Sequence, residues 1–157
     1  MYLEYNYKFE CDDKIAPYIV MLNNKGYMTD YCCEGHEDTE TVLVEPDGTV
    51  SVIVEKTYTG PYILFSRVSS FDLNLMKLEC PENWVVEKEY TDEGVNVVKY
   101  CIRRIFIEEE IKNNSMAELI DMSMKELSKW IDSIPTNPYS QILDNNKEII
   151  KIYKGDK

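Results

Sequence analysis

The sequence has no long apolar run, a single histidine, and no basic residue between Lys25 and Lys56. A helix that spans a membrane needs about 18 or more consecutive, mostly apolar residues, so we expect no membrane span. The first ten residues, MYLEYNYKFE, lack the apolar centre of a secretory signal. We therefore expect a cytoplasmic protein.

Cysteine usage argues against a disulfide framework. The chain has five cysteines, an odd number, and they come without a secretory signal. Disulfide scaffolds are typical of secreted chains with even numbers of cysteines. Most of these cysteines are expected to be buried thiols, which pack as small apolar side chains.

Basic residues are also scarce, and the formal net charge is −12. This balance argues against direct binding to the nucleic-acid backbone or to an anionic membrane surface, because both require clustered Lys and Arg. The acidic tract between Lys25 and Lys56 allows three interpretations. It is a solvated acidic surface, a cation site around His36, or a surface whose carboxylates imitate the phosphates of a nucleic acid.

The remaining composition predicts one domain over residues 1–157. Hydrophobic residues make up 44% of the 157 residues, which is a globular composition with enough length for a core. Hairpins and separate helices indicate the α+β class, with an antiparallel or mixed sheet and helices mainly on one face.

Periodicity, caps and turn residues give the expected elements. These are strand Tyr2–Phe9; a helix from Asp12 or Asp13 to Gly26; strand Tyr27–Cys33; hairpin Thr41–Glu45 and Thr49–Lys56 through Pro46–Gly48; strand Tyr62–Ser66; a helix over Ser69–Leu78; hairpin Trp84–Tyr90 and Val95–Ile107 through Thr91–Gly94; a helix from Ser115 to Pro135; and helical segments from Asn137 and over Asn145–Lys154.

Three of these helices carry specific expectations. The aspartate at 12 or 13 is expected to cap the first helix, and Gly26 to end it. Ser115 and Glu118 form a capping-box pattern, and Trp130 lies on the apolar stripe of the helix that it opens. Ser69–Leu78 fits either a strand with Phe71, Leu73 and Leu75 on one face or a helix, and we favour a short helix that starts at Ser69, buries Phe71, Leu75 and Leu78 and is ended by Pro81.

The chemically richest stretch is Cys32-Cys33-Glu34-Gly35-His36, which contains the only histidine. The two-residue period of a strand places Cys32 and Cys33 on opposite faces, with Tyr27, Thr29 and Cys33 together on one of them. Gly35 permits a tight turn that brings the His36 ring back to the strand end. The predicted ligand-binding residues are therefore Tyr27, Thr29, Cys33, Gly35 and His36.

Metal binding is the first chemistry that this stretch suggests. Cys33-x-x-His36 has a spacing that suits two ligands on one turn, for zinc or another transition metal. A structural zinc site needs four ligands, so Cys11, Cys80, Cys101 or a carboxylate would have to join Cys33 and His36.

Other interpretations of the same turn stay open. Cys33 or Cys32 is a nucleophile if His36 activates it. The turn binds a flat ligand without chemistry if Tyr27, Tyr31, Tyr62 or Trp84 stacks beside it. It has no function if it is only a partly buried cysteine next to a surface histidine.

Part of this stretch resembles known families. Leu22-Asn23, Tyr27, Thr29 and Cys33-Glu34-Gly35-His36 resemble a pattern in small proteins of low-GC bacteria and their phages that carry a Cys-x-Gly-His motif. More distantly, the pattern is similar to the Tyr-x-Thr…Ser-Cys-Ser-Gly-Arg signature of the wybutosine-synthesis tRNA methyltransferases. His36 takes the place of the arginine in that signature, and Cys32 takes the place of the first serine. The resemblance implies a shared helix–strand–turn over the first quarter of the chain.

The sequence thus predicts a small cytosolic binding module that holds a metal or another ligand at the Cys-x-Gly-His turn. One alternative is a small enzyme distantly similar to the tRNA-modifying methyltransferases. Another is an acidic inhibitor or protein-binding protein of phage type. The expected partner is a small molecule or a protein, and the sequence does not select between them.

Overall fold

The computed structural model describes residues 2–4, 8–44, 51–90, 97–140 and 151–153, and it has the predicted α+β class. Its strands pair antiparallel in three sheets, with orders β2-β1-β9, β3-β6-β8-β7 and β4-β5. The strands are β1 (Tyr2–Glu4), β2 (Lys8–Glu10), β3 (Thr29–Cys33), β4 (His36–Val44), β5 (Ser51–Thr59), β6 (Tyr62–Phe65), β7 (Trp84–Tyr90), β8 (Val97–Arg104) and β9 (Lys151–Tyr153).

Helices cover one face of the four-stranded sheet. Ile63 of β6 and Ile102 of β8 are fully buried there, in one cluster with residues of the first and last helices. In the described ranges, no helix combines the length and the apolar composition that crossing a membrane requires. The helices are α1 (Ala16–Asn24), α2 (Arg67–Met76), α3 (Glu108–Asn113) and α4 (Met116–Ser133).

Helix α4 follows its local sequence closely. The Glu118 N–H donates to the Ser115 hydroxyl at 3.2 Å, and the Ser115 N–H donates to the Glu118 carboxylate at 3.0 Å, so the predicted capping box is confirmed. Trp130 is buried, as expected, and its indole N–H donates to the Glu79 carbonyl. The helix ends just before Pro135.

Helix α1 begins later than predicted, and the expected aspartate cap is wrong. Ile15 occupies the N-cap position without a side-chain cap. Asp12 instead accepts a hydrogen bond from the Glu34 N–H, 3.0 Å from its Oδ2, because a contact across the fold takes the carboxylate away from the helix. The end of the helix is as predicted, with Gly26 at φ 91°.

Helix α2 confirms the helical interpretation of its segment, but its predicted face is wrong. Phe71 and Leu75 are 63% and 51% exposed. The buried face includes two serines whose hydroxyls accept hydrogen bonds from backbone N–H groups, Ser69 from Met28 just before β3 and Ser70 from Tyr100 of β8. These polar contacts, rather than an apolar stripe, orient the helix. Its N-cap is Ser66 in place of the expected Ser69, and it ends at Met76, two residues before the expected Leu78.

Both chain ends differ from the prediction. The expected strand Tyr2–Phe9 is instead two short strands, β1 and β2, that pair with each other. The expected helix over Asn145–Lys154 is wrong where it can be compared, because Lys151–Tyr153 is the strand β9 and pairs with β1. Residues 145–150 lie outside the described part.

Three further predictions concern the segment from Asn137 and the turns of the two hairpins. Residues 137–140 form a turn instead of starting a helix. The turns predicted at Pro46–Gly48 and Thr91–Gly94 also lie outside the described part, although the strands on either side of each pair as expected.

The hairpin of β4 and β5 is longer than predicted and begins at the candidate site. Its register runs from His36 opposite Thr59 to Val44 opposite Ser51. Neither strand packs extensively against another described helix or strand. The pair is therefore a two-stranded ribbon that is attached to the fold at its His36 end.

Arg104 at the end of β8 is the largest side chain that is fully enclosed in the described part, at 2% exposed. Its two terminal nitrogens donate to Glu110 of α3 at 2.9 and 2.6 Å, and its Nε donates to Glu126 of α4 at 2.8 Å. Burying a guanidinium is costly unless it is paired, and two carboxylates supply that pairing here. Helix α3, which carries the first of them, was not predicted from the sequence.

Gly60 lies against the backbone of the same residue. A Cβ at position 60 would lie 1.8 Å from the Arg104 carbonyl oxygen, and the Arg104 N–H donates to the Pro61 carbonyl at 2.9 Å. The link between β5 and β6 can pass this point only as glycine.

We expect Gly60→Ala to lower the free energy of unfolding by about 3 kcal/mol or more, near the upper end for single substitutions. The reason is that the added methyl group meets backbone, which cannot rotate away. Urea unfolding followed by tryptophan fluorescence measures the loss. Thr57→Ala, at an exposed position on the preceding strand β5, is the matched control, and equal midpoints for the two variants would contradict the packing argument.

Acidification should weaken the Arg104 cluster. Hydrogen bonding to Arg104 holds the pKa of Glu110 below its ordinary 4.5. A lowered folded-state pKa contributes stability above the unfolded-state value, and that stability is lost as the pH falls through the folded-state pKa. We expect Glu110→Gln to cost about 2 kcal/mol at neutral pH and to lose less than the wild type on acidification.

Urea unfolding at neutral pH and below pH 4.5 tests this expectation. Glu109→Gln changes an exposed neighbour on α3 and should keep the wild-type pH dependence. An unchanged pH dependence in Glu110→Gln would show that the pair contributes nothing to acid sensitivity.

Candidate functional site

The turn between β3 and β4 brings a thiol next to an imidazole. Cys33 ends β3 and His36 begins β4. Cys33 Sγ lies 3.7 Å from His36 Nδ1, and the Gly35 N–H donates to Cys33 Sγ at 3.4 Å. The three predicted site residues Cys33, Gly35 and His36 are therefore together.

Gly35 makes this turn possible in two ways. Its φ of +98° is a conformation that residues with a Cβ rarely adopt. A Cβ there would also lie 2.9 Å from the Thr59 carbonyl oxygen and 3.3 Å from the Pro61 nitrogen. The turn thus packs directly on the link between β5 and β6.

Strand pairing separates the two adjacent cysteines. Cys32 lies opposite Ile63, which faces the core, and Cys33 lies opposite Tyr62 on the other face. Tyr62 in turn lies opposite Arg103, whose guanidinium is 4.7 Å from the Tyr62 ring. Only Cys33 therefore shares a site with His36, as the strand period predicted.

The second nitrogen of His36 has a carboxylate partner. His36 Nε2 is 3.0 Å from Asp38 Oδ2, and the two side chains are 51% and 58% exposed. Residues two apart on a strand point to the same face, which places Asp38 beside the ring. Cys33, His36 and Asp38 thus form a thiol–imidazole–carboxylate row.

The charges around this row are mostly negative. Burial raises the pKa of the Cys33 thiol, and nearby Asp12 raises it further, while the hydrogen bond from the Gly35 N–H lowers it. Burial and Asp12 also raise the pKa of Glu34. Cys33 therefore rests as a neutral thiol, in surroundings that favour a cation over an anion.

A pair of thiols, Cys11 and Cys32, lies on the inner side of β3. Cys11 Sγ is 3.0 Å from Cys32 Sγ, and all five cysteines are thiols. The hydrogen bond between Cys11 and Cys32 raises the pKa of Cys11 and lowers that of Cys32.

The cysteines considered as further metal ligands are thus placed elsewhere. Cys11 meets Cys32 instead of Cys33. Cys80 contacts the Trp84 carbonyl and Cys101 the Ile102 carbonyl. Within the described residues there is no group of three or more His, Cys, Asp and Glu side chains that could hold a metal ion.

Tyr27 and Thr29, the other two predicted site residues, are buried and have different partners. The Tyr27 hydroxyl donates to the Pro135 carbonyl at 2.7 Å, and burial raises its pKa to about 12. The Thr29 hydroxyl accepts from the amide nitrogen of Asn23 at 3.1 Å. A bulge between Thr29 and Tyr31 breaks the strand alternation that had placed Thr29 with Cys33.

Sequence reasoning missed three residues around the turn: Asp38, Asp12 and Cys11. Asp38 had a usable signal, because His36-x-Asp38 at the start of a strand places both side chains on one face. Asp12 was assigned to a helix cap instead. No local pattern links Cys11 to Cys32, which is 21 positions further along the chain.

Comparison with known proteins gives no match, whether to a family model, a curated protein or a solved structure. The resemblance of residues 22–36 to the Cys-x-Gly-His proteins and to the wybutosine-synthesis methyltransferases therefore stays a prediction.

Proposed function

We propose that this protein is a small binding module that takes a transition-metal cation of the zinc class at the Cys33–His36 turn. The observation that carries this proposal is the 3.7 Å separation of Cys33 Sγ and His36 Nδ1. A tetrahedral zinc with bonds of about 2.3 Å to sulfur and about 2.05 Å to nitrogen holds those two atoms about 3.6 Å apart. The turn therefore needs little movement to accept the ion.

Asp38 supports the same proposal from the other side of the ring. Histidines that bind metals usually donate their second ring N–H to a carboxylate, which fixes the ring and its tautomer. His36 Nε2 and Asp38 Oδ2 are 3.0 Å apart, within reach of that bond. The acidic residues Asp12 and Glu34 add a favourable local field for a cation.

Two protein ligands make this an open site rather than a structural one. A structural zinc site has four protein ligands, and the described residues offer no third beside Cys33 and His36. Water, a small ligand or a side chain of a partner would complete the coordination. Such a site suits a metal that is taken up and passed on, or one that bridges two molecules.

The proposed setting is the cytoplasm, which keeps thiols reduced. The enzymatic alternative, a relative of the tRNA-modifying methyltransferases, rests on the resemblance at residues 22–36 alone. Nucleophilic catalysis by Cys33 is less well supported than binding. The raised pKa of this thiol disfavours the thiolate that both need, but a bound cation displaces the thiol proton, whereas a nucleophile must lose it without that help.

The proposal predicts that Co²⁺, used as a coloured substitute for zinc, gives a thiolate-to-cobalt absorption band with the wild-type protein. Cys33→Ala should abolish the band. His36→Gln should weaken binding strongly, because one of two ligands is lost. Asp38→Asn should weaken it by about tenfold, the lower range for losing a carboxylate that orients a metal-bound histidine.

Two controls separate orientation from general charge. Glu37→Gln removes one negative charge next to His36 but keeps the Asp38 contact, so it should weaken binding less than Asp38→Asn does. Cys80→Ala removes a thiol elsewhere in the fold and should leave the band unchanged. Wild-type affinity in His36→Gln, or no band in the wild type, would refute the metal site.

A second candidate function is binding to a basic protein. The ribbon of β4 and β5 has exposed acidic side chains at its base, Glu37 and Asp38, in a chain with a net charge of −12. Complementary charge would then accelerate association with a basic groove.

For this second candidate, we expect Glu37→Gln with Glu40→Gln to slow association with a purified basic partner and to flatten its dependence on salt. Folding should change little, because exposed charges contribute little to stability. Stopped-flow association at several ionic strengths measures the effect. Glu108→Gln with Glu109→Gln on α3 removes two negative charges elsewhere. Equal changes in association rate for the two double variants would show that the acidic residues of the ribbon are only a solvated surface.

A further inference from the structure

We propose that Cys11 and Cys32 form a redox-active dithiol that undergoes thiol–disulfide exchange with small disulfides of the glutathione class. This site is distinct from the metal turn, because it lies on the inner face of β3 while Cys33 lies on the outer face. It also stands on a different observation, the 3.0 Å contact between the two sulfur atoms.

The geometry of the pair is close to that of a disulfide. Cys11 follows β2 and Cys32 is in β3, so two separate segments bring the thiols into hydrogen-bonding contact. A disulfide bond requires about 2.05 Å between the sulfurs, so an approach of roughly 1 Å is needed. Small rotations of two side chains can supply such a movement without refolding either segment.

A second tether holds the same two segments together. Asp12, next to Cys11 in the chain, accepts a hydrogen bond from the Glu34 N–H at 3.0 Å. Glu34 follows the Cys32-Cys33 pair on the other segment. The approach of the thiols is therefore fixed at two neighbouring points, as a reversible disulfide requires.

Burial assigns different roles to the two thiols. Cys11 is 3% exposed, whereas Cys32 is partly accessible and lies on β3, which ends the order of the four-stranded sheet. An external disulfide can therefore reach Cys32 first. Cys11, behind it, is placed to resolve the mixed disulfide. This is the arrangement of an attacking and a resolving thiol.

The exchange takes two balanced steps. Cys32 loses its proton to solvent and attacks one sulfur of glutathione disulfide; the reagent's S–S bond breaks, and one glutathione leaves as a thiolate that takes up a proton. Cys11 then loses its proton and attacks Cys32 Sγ, which releases the second glutathione in the same way. The protein loses two protons and two electrons, which together make two hydrogen atoms, and one glutathione disulfide becomes two thiols.

The test is intact-mass analysis of the full-length protein incubated with glutathione disulfide. We expect the wild type to lose two hydrogens, and peptide mapping to join the Cys11 peptide to the peptide of residues 26–56. Trypsin cannot separate Cys32 from Cys33, since no Lys or Arg lies between Lys25 and Lys56, so fragmentation of the joined peptide must locate the bond. Added dithiothreitol should restore the starting mass.

Variants then separate the roles. Cys11→Ala should stop at a mixed disulfide with one glutathionyl group on Cys32, and Cys32→Ala should form no internal disulfide. Cys33→Ala is the matched neighbour; it should oxidise as the wild type does, although it abolishes the cobalt band, so the two proposals fail independently. Circular dichroism verifies that each variant is folded.

Two results would overturn the inference. One is a wild-type bond that joins Cys33, Cys80 or Cys101 instead of Cys11 and Cys32. The other is a wild-type protein that accumulates the mixed disulfide without resolving it, because a resolving thiol in contact with Cys32 would not leave it intact. Both are read on the wild-type protein and do not depend on whether a variant folds.

Discussion

The buried guanidinium of Arg104 is the interaction on which most of the described fold depends. It joins three consecutive elements, because its own strand β8 supplies the charge while α3 and α4 supply Glu110 and Glu126. Removing either carboxylate would leave a buried charge with half of its pairing, which costs far more than a surface ion pair contributes. The pairing therefore fixes where both helices lie against the end of the sheet.

The candidate site is connected to this cluster through backbone. Gly60 packs on the Arg104 carbonyl, and the Pro61 carbonyl accepts the Arg104 N–H. On its other side the same link meets Gly35, whose missing side chain lets the Cys33–His36 turn pack against Thr59 and Pro61. Gly60 within this link and Gly35 packed against it thus connect the buried charge to the half-buried thiol of Cys33 and the exposed imidazole of His36. Neither contact has a side chain that can adapt, so the turn is held more firmly than its exposure suggests.

The features that could be predicted from the sequence are those set by local interactions. The Ser115–Glu118 box, the Gly26 stop and the opposite directions of Cys32 and Cys33 each follow from residues within a few positions of one another. The features that escaped prediction are decided by distant partners. Asp12 is a good cap by its type, but Glu34 offers it a partner across the fold. Helix α2 has an apolar stripe at Phe71 and Leu75, yet serine hydroxyls turn the opposite face toward the sheet.

The same distinction explains the candidate site itself. A strand pattern alone places Thr29 beside Cys33, and one bulge is enough to bury Thr29 against Asn23 instead. What remains after that correction is a single strand end with different chemistry on its two faces. The inner face holds the Cys32 thiol against the Cys11 thiol, away from His36. The outer face holds Cys33 beside His36 and Asp38, where the acidic surroundings favour a cation. Because adjacent residues of a strand point in opposite directions, redox and metal chemistry at Cys32-Cys33 can coexist without competing for the same thiol.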